Sequence, residues 1–228
     1  MRPRRWPLFL LRLLHVNVGL AAFGLSIALM LRAGVGLGPW DVFHEGVSLR
    51  TPLTVGQAMI GAGFVLLAFS AFAARVRPGL GTVLNMLLIG TWVDVFLGLP
   101  GFPAARGWGD GAALFAVGLL LNGASTGLYL TAGLGAGPRD GFALALAKLL
   151  RVTVRRARTL VELVVLASGW LLGGTAGVGT VAFALAIGPL MQTSLRVFGG
   201  LERWYAGRPG AGVGIRTEEA GDRPLSSP

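Results

Sequence analysis

The residues best placed to do chemistry lie in two related elements, GVGLGPWDVFHEGV at 34–47 and GLGAGPRDGFALAL at 133–146. The shared positions are Gly38, Pro39 and Asp41 in the first element and Gly137, Pro138 and Asp140 in the second. Glycine permits the backbone angles that end a helix, and proline suits the first position of the next one. An aspartate in that first turn faces the positive end of the helix dipole. Each element therefore predicts a helix, a break and a short second helix.

Two interpretations of these short helices are open. In the first they lie at the membrane interface, with Trp40, Phe43 and Val47 on one face and the polar side chains elsewhere. In the second they are broken or re-entrant helices whose N-terminal N–H groups point into a cavity, as at many transporter sites. A break inside the membrane needs protein or water beside it, because lipid cannot satisfy its backbone groups.

Four further polar residues complete a candidate pathway for a substrate or an ion: Asn85, Asn122, Arg139 and Glu162. Asn85 and Asn122 lie well inside apolar stretches, where an amide either lines a pathway or joins two helices by hydrogen bonds. Arg139 and Glu162 would handle charge. Glu162 is either an ion- or proton-coupling carboxylate or the i, i+4 partner of Arg158. Asp94 is expected at the outer interface.

The sequence contains no complete catalytic, cofactor-binding or metal-binding set, and we expect neither an enzyme nor a bound cofactor. GASTG at 123–127 matches a nucleophile elbow but lies inside an apolar helical stretch with no preceding strand. His15 and His44 form no zinc motif, and the chain has no cysteine and no P-loop. The net charge of +10 does not indicate nucleic-acid binding, because the basic residues flank apolar stretches.

The composition predicts an all-α integral membrane protein. Hydrophobic residues make up 54% of the chain and charged residues only 13%, against roughly a quarter charged in soluble domains. Six stretches are long enough to cross a bilayer. They are residues 9–32, 55–74, 81–99, 111–133, 156–173 and 178–198. A single membrane domain is expected over 1–198, and a disordered cytoplasmic tail over 199–228.

An internal repeat organises these spans. Residues 19–38 align without gaps to 118–137 with ten of twenty positions identical, and 79–90 share seven of twelve with 177–188. The first repeat covers about 9–99 and the second about 111–198. Each contains three spans, and an odd number requires the second copy to insert upside down. The fold class is therefore two inverted three-helix repeats, each with a short broken or interfacial helix after its first span.

The distribution of charge tests this orientation independently. With the N-terminus in the cytoplasm, 17 of the 20 basic residues lie on the cytoplasmic side, and only Arg32, Arg50 and Arg106 lie outside. This asymmetry is what the positive-inside rule predicts for a cytoplasmic N-terminus and C-terminus.

The GxGPxD elements, the matching GLGT…LIG stretch and the R-x-x-R-T-L-x-E run at 155–162 resemble the YczE/YitT-like family of bacterial multipass membrane proteins. The resemblance covers about residues 8–198 and implies location in the bacterial cytoplasmic membrane. It does not supply a substrate. By position it carries over Gly36, Gly38, Pro39, Asp41, Gly135, Gly137, Pro138, Arg139 and Asp140.

Symmetry and broken helices together favour a small secondary transporter or permease, with its site for a small solute or ion between the repeats. The alternative is a non-transporting accessory or scaffold protein that packs in the bilayer against a second copy or another membrane protein. A transporter should have a polar cavity between residues 36–45 and 135–144, whereas an accessory protein should be fully packed there.

Overall fold

The computed structural model describes residues 5–74, 79–135 and 137–206, and within these ranges every regular element is an α-helix. Four helices form the first half of the chain and four form the second half. They are α1 (Arg5–Ala33), α2 (Pro39–Arg50), α3 (Val55–Ala74), α4 (Leu80–Leu97), α5 (Trp108–Leu130), α6 (Pro138–Leu150), α7 (Val154–Leu171) and α8 (Val178–Ala206).

Five of these helices, α1, α3, α4, α5 and α8, are long and apolar enough to cross a membrane. They correspond to five of the six predicted spans. Helix α7, which corresponds to the sixth predicted span at 156–173, is not among them. Four charged residues lie within its 18 residues, namely Arg155, Arg156, Arg158 and Glu162. Helices α2 and α6 have 12 and 13 residues and are the predicted short helices.

The predicted glycine breaks are confirmed, and they have the same backbone conformation in both halves. Gly34 and Gly133 have φ angles of 65° and 69°, and Gly36 and Gly135 have φ angles of 128° and 125°. These angles are strained for residues with a Cβ atom. Each short helix then begins with proline after an extended N-cap glycine.

Each break is held by the start of the last helix of the other half. The Gly81 amide of α4 donates a hydrogen bond to the Leu134 carbonyl oxygen at 2.8 Å. Reciprocally, the Gly179 amide of α8 donates to the Val35 carbonyl oxygen at 2.8 Å. A Cβ atom on Gly81 would lie 2.6 Å from the Leu134 carbonyl carbon, and one on Gly179 would lie 3.0 Å from the Val35 oxygen. Glycine permits both approaches.

Most helix contacts in one half of the chain have an equivalent contact in the other half. The central contact is α1 on α5, flanked by α1 on α4 in the first half and α5 on α8 in the second. Each short helix packs on a long helix of the other half, α2 on α7 and α6 on α3. The largest contact without a comparable counterpart among the described residues is α3 on α4, because α7 does not pack comparably on α8.

Small residues make the central contacts close, as the sequence predicts for its glycines. A Cβ atom on Gly118 of α5 would lie 2.7 Å from Met30 Cγ of α1, and one on Gly24 would lie 2.6 Å from Trp92 Cβ of α4. Leu20 and Ile27 of α1 are fully buried in this core.

Helix α8 continues to Ala206, past residue 199, where the sequence predicted the start of a disordered tail. Tyr205 anchors this extension to the start of α1. The Arg12 guanidinium donates to the Tyr205 carbonyl oxygen at 2.6 Å, and His15 Nδ1 lies 3.1 Å from the Tyr205 hydroxyl. Residues 207–228, the rest of the predicted tail, lie outside the described residues.

Substituting Gly81 tests the reciprocal anchoring. We expect Gly81→Val to lower the free energy of unfolding by about 1–3 kcal/mol, because its side chain would overlap the backbone at Leu134. Chemical unfolding in mixed micelles measures this change. Gly61→Val in α3 is the matched control, since nothing lies within 4 Å of the added Cβ atom there. Equal stability of the two variants would contradict the anchoring.

Candidate functional site

Both short helices begin at one cavity of about 460 Å³ that lies between the two halves. All ten predicted pathway residues line this central cavity. They are Gly38, Pro39, Asp41, Asn85, Asn122, Gly137, Pro138, Arg139, Asp140 and Glu162. The fold therefore brings together candidates that are up to 124 residues apart in the sequence.

Helix α2 turns its polar side chains toward the protein. Asp41 and His44 are only 3% and 2% exposed, whereas Trp40, Phe43 and Val47 are half-buried. A helix lying on the membrane interface would bury its apolar face and leave its polar face in water. The observed burial is the opposite arrangement, with two titratable groups inward.

An ion pair joins the two short helices across the cavity. Arg139 Nη2 of α6 lies 3.6 Å from Asp41 Oδ1 of α2, and the Arg139 guanidinium carbon lies 5.1 Å from the centre of the Trp40 ring. Ion pairing and the cation–π contact together fix the Arg139 side chain beside α2. The predicted charge-handling role of Arg139 therefore has a defined partner.

Asp41 and the neighbouring His44 each have a buried polar atom without a hydrogen-bond partner in the described residues. His44 Nδ1 lies 3.8 Å from Asp41 Oδ1, too far for a hydrogen bond, and neither atom has a hydrogen-bond partner within the described part of the chain. Burial lowers the pKa of His44, while the neighbouring Asp41 carboxylate acts in the opposite direction. Buried polar atoms of this kind call for a partner such as water, a proton or a ligand.

A second charged cluster lies at the more exposed side of the cavity. Arg158 of α7 lies 3.2 Å from Glu162 and 3.4 Å from Asp140 of α6. The predicted i, i+4 pair between Arg158 and Glu162 is confirmed, and the pair also faces the cavity. One guanidinium is thus shared between two carboxylates, and all three side chains are 42–55% exposed.

The two asparagines differ in what holds them. Asn122 is 2% exposed, and its amide donates to the Ser26 hydroxyl at 2.9 Å, so it joins α5 to α1 as well as lining the cavity. Asn85 lies against the break of the second half, with its Oδ1 atom 3.1 Å from where a Gly137 Cβ would be. Asn122 therefore joins two helices by a hydrogen bond, one of its two predicted roles, and it also lines the cavity.

Comparison with known proteins places this architecture in a family. The family of unknown function DUF6198 matches residues 10–196. The chain belongs to this family. It is 36% identical to the "Uncharacterized membrane protein YczE" of Bacillus subtilis (strain 168) over 174 residues, 76% of this chain and 80% of that protein. The resemblance to the YczE-like family is thereby confirmed.

Two further relatives extend the similarity. An "Uncharacterized protein" of Haemophilus influenzae is 33% identical over 180 residues, 78% of this chain and 80% of that protein. The "Uncharacterized protein YyaS" of Bacillus subtilis (strain 168) is 26% identical over 192 residues, 82% of this chain and 94% of that protein. No solved structure matches the chain.

The site of this DUF6198 member contains residues that sequence reasoning did not select, namely Trp40, His44 and Arg158. Spacing offered a signal for two of them, since His44 is three residues after Asp41 and Arg158 is four before Glu162. Asp94, expected at the interface, caps α3: its carboxylate accepts hydrogen bonds from the Thr54 hydroxyl and, at 2.8 Å, from the Gly56 amide.

Removing either partner of the ion pair between the halves should destabilise the protein. We expect Asp41→Asn and Arg139→Gln each to lower the free energy of unfolding by about 1–3 kcal/mol, because the remaining charge loses its partner. Partial exposure of Arg139, 34%, keeps the loss below that of a fully buried pair. Chemical unfolding in mixed micelles measures both losses, and the double variant should lose less than their sum.

Arg158→Gln is the control for the single and double variants of Asp41 and Arg139. Its ion pairs are half-exposed, so we expect a loss below about 1 kcal/mol. Strictly additive losses at Asp41 and Arg139 would show that the two side chains do not interact across the cavity.

Proposed function

We propose that this protein is a small secondary transporter or permease of the bacterial cytoplasmic membrane, which moves a small solute or ion through the central cavity. The observation that carries the proposal is that Asp41 and Arg139, from the short helices of opposite halves, face each other inside one cavity. Transporters built from inverted repeats bind their substrates at such helix breaks.

Equivalent contacts between the two halves support an inverted repeat. The hydrogen bond from Gly81 to Leu134 in one direction has its equivalent in the hydrogen bond from Gly179 to Val35 in the other. Three spans in each half would then place the halves in opposite orientations, with both termini in the cytoplasm. Two inverted halves of similar structure allow two states of similar energy that open to opposite sides.

This topology makes α7 the sixth crossing. Arg158 and Glu162 would be costly in lipid, but both line the central cavity and pair with each other. Charge that faces a cavity is compatible with a helix that crosses the membrane. Helix α2 is accordingly a broken helix rather than an interfacial one, since it buries Asp41 and His44.

A packed interior between the short helices is the expected signature of a non-transporting accessory protein. The cavity therefore favours transport over that alternative. We propose no enzymatic activity, because the charged residues around the cavity are paired with one another rather than arranged as nucleophile and base.

Reconstitution in liposomes with a screen of small solutes and ions tests the proposal. For any solute that the protein moves, we expect Asp140→Asn to reduce the flux at least about tenfold, because the variant removes a charge from the cavity. Asp110→Asn is the matched control. Asp110 also lies in the first turn of a helix, α5, but is exposed outside the cavity.

Two outcomes would contradict transport. If no tested solute or ion crosses faster than in empty liposomes, or if Asp140→Asn changes only the abundance of the protein, the accessory interpretation is favoured instead. Purified yield and helical content of each variant separate a loss of flux from a loss of folding.

A further inference from the structure

Helix α2 carries two buried titratable side chains that face each other, Asp41 and His44, and both residues line the central cavity. His44 Nδ1 lies 3.8 Å from Asp41 Oδ1, and neither atom has a hydrogen-bond partner in the described residues. A protonated nitrogen would approach the carboxylate to about 2.7–2.9 Å. The wider separation is the one expected when the lone pair of a neutral imidazole faces a carboxylate oxygen.

The same oxygen of Asp41 also faces Arg139. Arg139 Nη2 of α6 lies 3.6 Å from Asp41 Oδ1, so the guanidinium and the imidazole approach one atom from two helices. While His44 is neutral, Oδ1 pairs with the guanidinium. A proton on His44 would place a second cation beside the same oxygen, and two like charges so close repel each other. Proton uptake by His44 therefore weakens the ion pair between the short helices.

The other charged groups near the cavity have partners of their own. Three more charged residues line the cavity and pair with one another, namely Asp140, Arg158 and Glu162. Arg155 and Arg156 of α7 are exposed and do not line it. On α2 itself, Glu45 and Arg50 bond to the backbone just after α7. Helix α3, which also packs on α2, has no charged residue, and the long helices line the cavity with uncharged side chains that include the phenol of Tyr129.

The internal repeat indicates that this place in the fold does not require an imidazole. The alignment that pairs Asp41 with Asp140 pairs His44 with Ala143, which is also buried and also lines the cavity. The second half thus forms the equivalent helix with alanine there. Histidine is the side chain that ordinarily changes its charge near neutral pH. A titratable group in only one of two equivalent places points to a use other than packing.

We propose that His44 is the binding site of a coupling proton, whose uptake releases Arg139 from Asp41. The proposal rests on the proposed transport function and names its coupling ion. In this step a hydronium ion transfers its proton to His44 Nδ1, and the imidazolium donates a hydrogen bond to Asp41 Oδ1. The Arg139 guanidinium keeps its charge and turns into the cavity, so the ion pair between the two halves is broken.

Histidine-selective NMR detects this proton directly, because the chain contains only two histidines, His15 and His44. Full-length protein labelled with carbon-13 histidine is titrated in nanodiscs from about pH 4 to about pH 9, a range that brackets the ordinary titration of histidine. His15→Gln assigns the two signals. In the other samples His15 is an internal control, since it lies against Tyr205 and does not line the cavity.

Three variants test the competition for the carboxylate oxygen. Arg139→Gln removes the competing cation, and Asp41→Asn removes the charge that attracts both cations. Arg158→Gln is the matched control, because it also removes a cavity arginine but one whose ion pairs are with Asp140 and Glu162. The helical content of each variant confirms that it is folded.

We expect the His44 signal to titrate with a midpoint that Arg139→Gln raises by about one pH unit and Asp41→Asn lowers by about as much. By linkage, a group whose protonation releases Arg139 must bind its proton more tightly when Arg139 is absent. Arg158→Gln should move the midpoint less than either variant, and the His15 midpoint should stay where it is in all three.

A His44 signal that does not titrate in the wild-type protein would overturn the proposal, and this measurement does not depend on the folding of any variant. A His44 midpoint that is the same in wild type, Arg139→Gln and Asp41→Asn would also overturn it, since proton uptake would then be independent of the ion pair.

Liposomes separate this proposal from the transport function on which it rests. For any solute that the protein moves, an imposed pH gradient should change the flux at least about tenfold, and His44→Gln should abolish that response. Shifted His44 midpoints without flux of any solute would refute transport and keep the proton site. Flux that ignores the pH gradient would refute proton coupling and keep transport.

Discussion

Two backbone hydrogen bonds hold the two halves of this protein in register, from Gly81 to the Leu134 carbonyl and from Gly179 to the Val35 carbonyl. Each requires glycine, because a side chain would overlap the facing backbone. Each also satisfies a carbonyl at a helix break, which lipid could not do. The helix break in each half is thus stabilised by a hydrogen bond from the other half. The backbone conformation of each break therefore depends on the opposite half.

The chemistry of the cavity depends on this reciprocal anchoring. With the breaks fixed, α2 and α6 begin at the same cavity, and their first turns bring Asp41 and Arg139 together. Small residues along α1 and α5 let the halves approach closely enough for Asn122 to bond Ser26. The largest difference between the halves in the described residues is that α3 packs on α4 whereas α7 does not pack comparably on α8, and α7 carries the shared Arg158 cluster.

Much of this architecture could be predicted from the sequence, because it is encoded locally. Glycine, proline and aspartate at fixed spacing specify a break and a helix start, and their recurrence indicated that the two sites belong together. Other features depend on distances between helices. That His44 faces inward, that Arg158 reaches Asp140 and that α8 continues to contact Arg12 follow from packing between distant segments. No local pattern contains those distances.

The central claim, that the halves lie in opposite orientations, is tested most directly by labelling two equivalent positions. Leu53 and Val152 follow the short helices at matching places in the repeat and are 43% and 36% exposed. The chain has no native cysteine, so Leu53→Cys and Val152→Cys each provide a single thiol. With a membrane-impermeant maleimide, Leu53→Cys should react in intact cells, and Val152→Cys only after permeabilisation. Reaction of both from the same side would contradict the inverted arrangement.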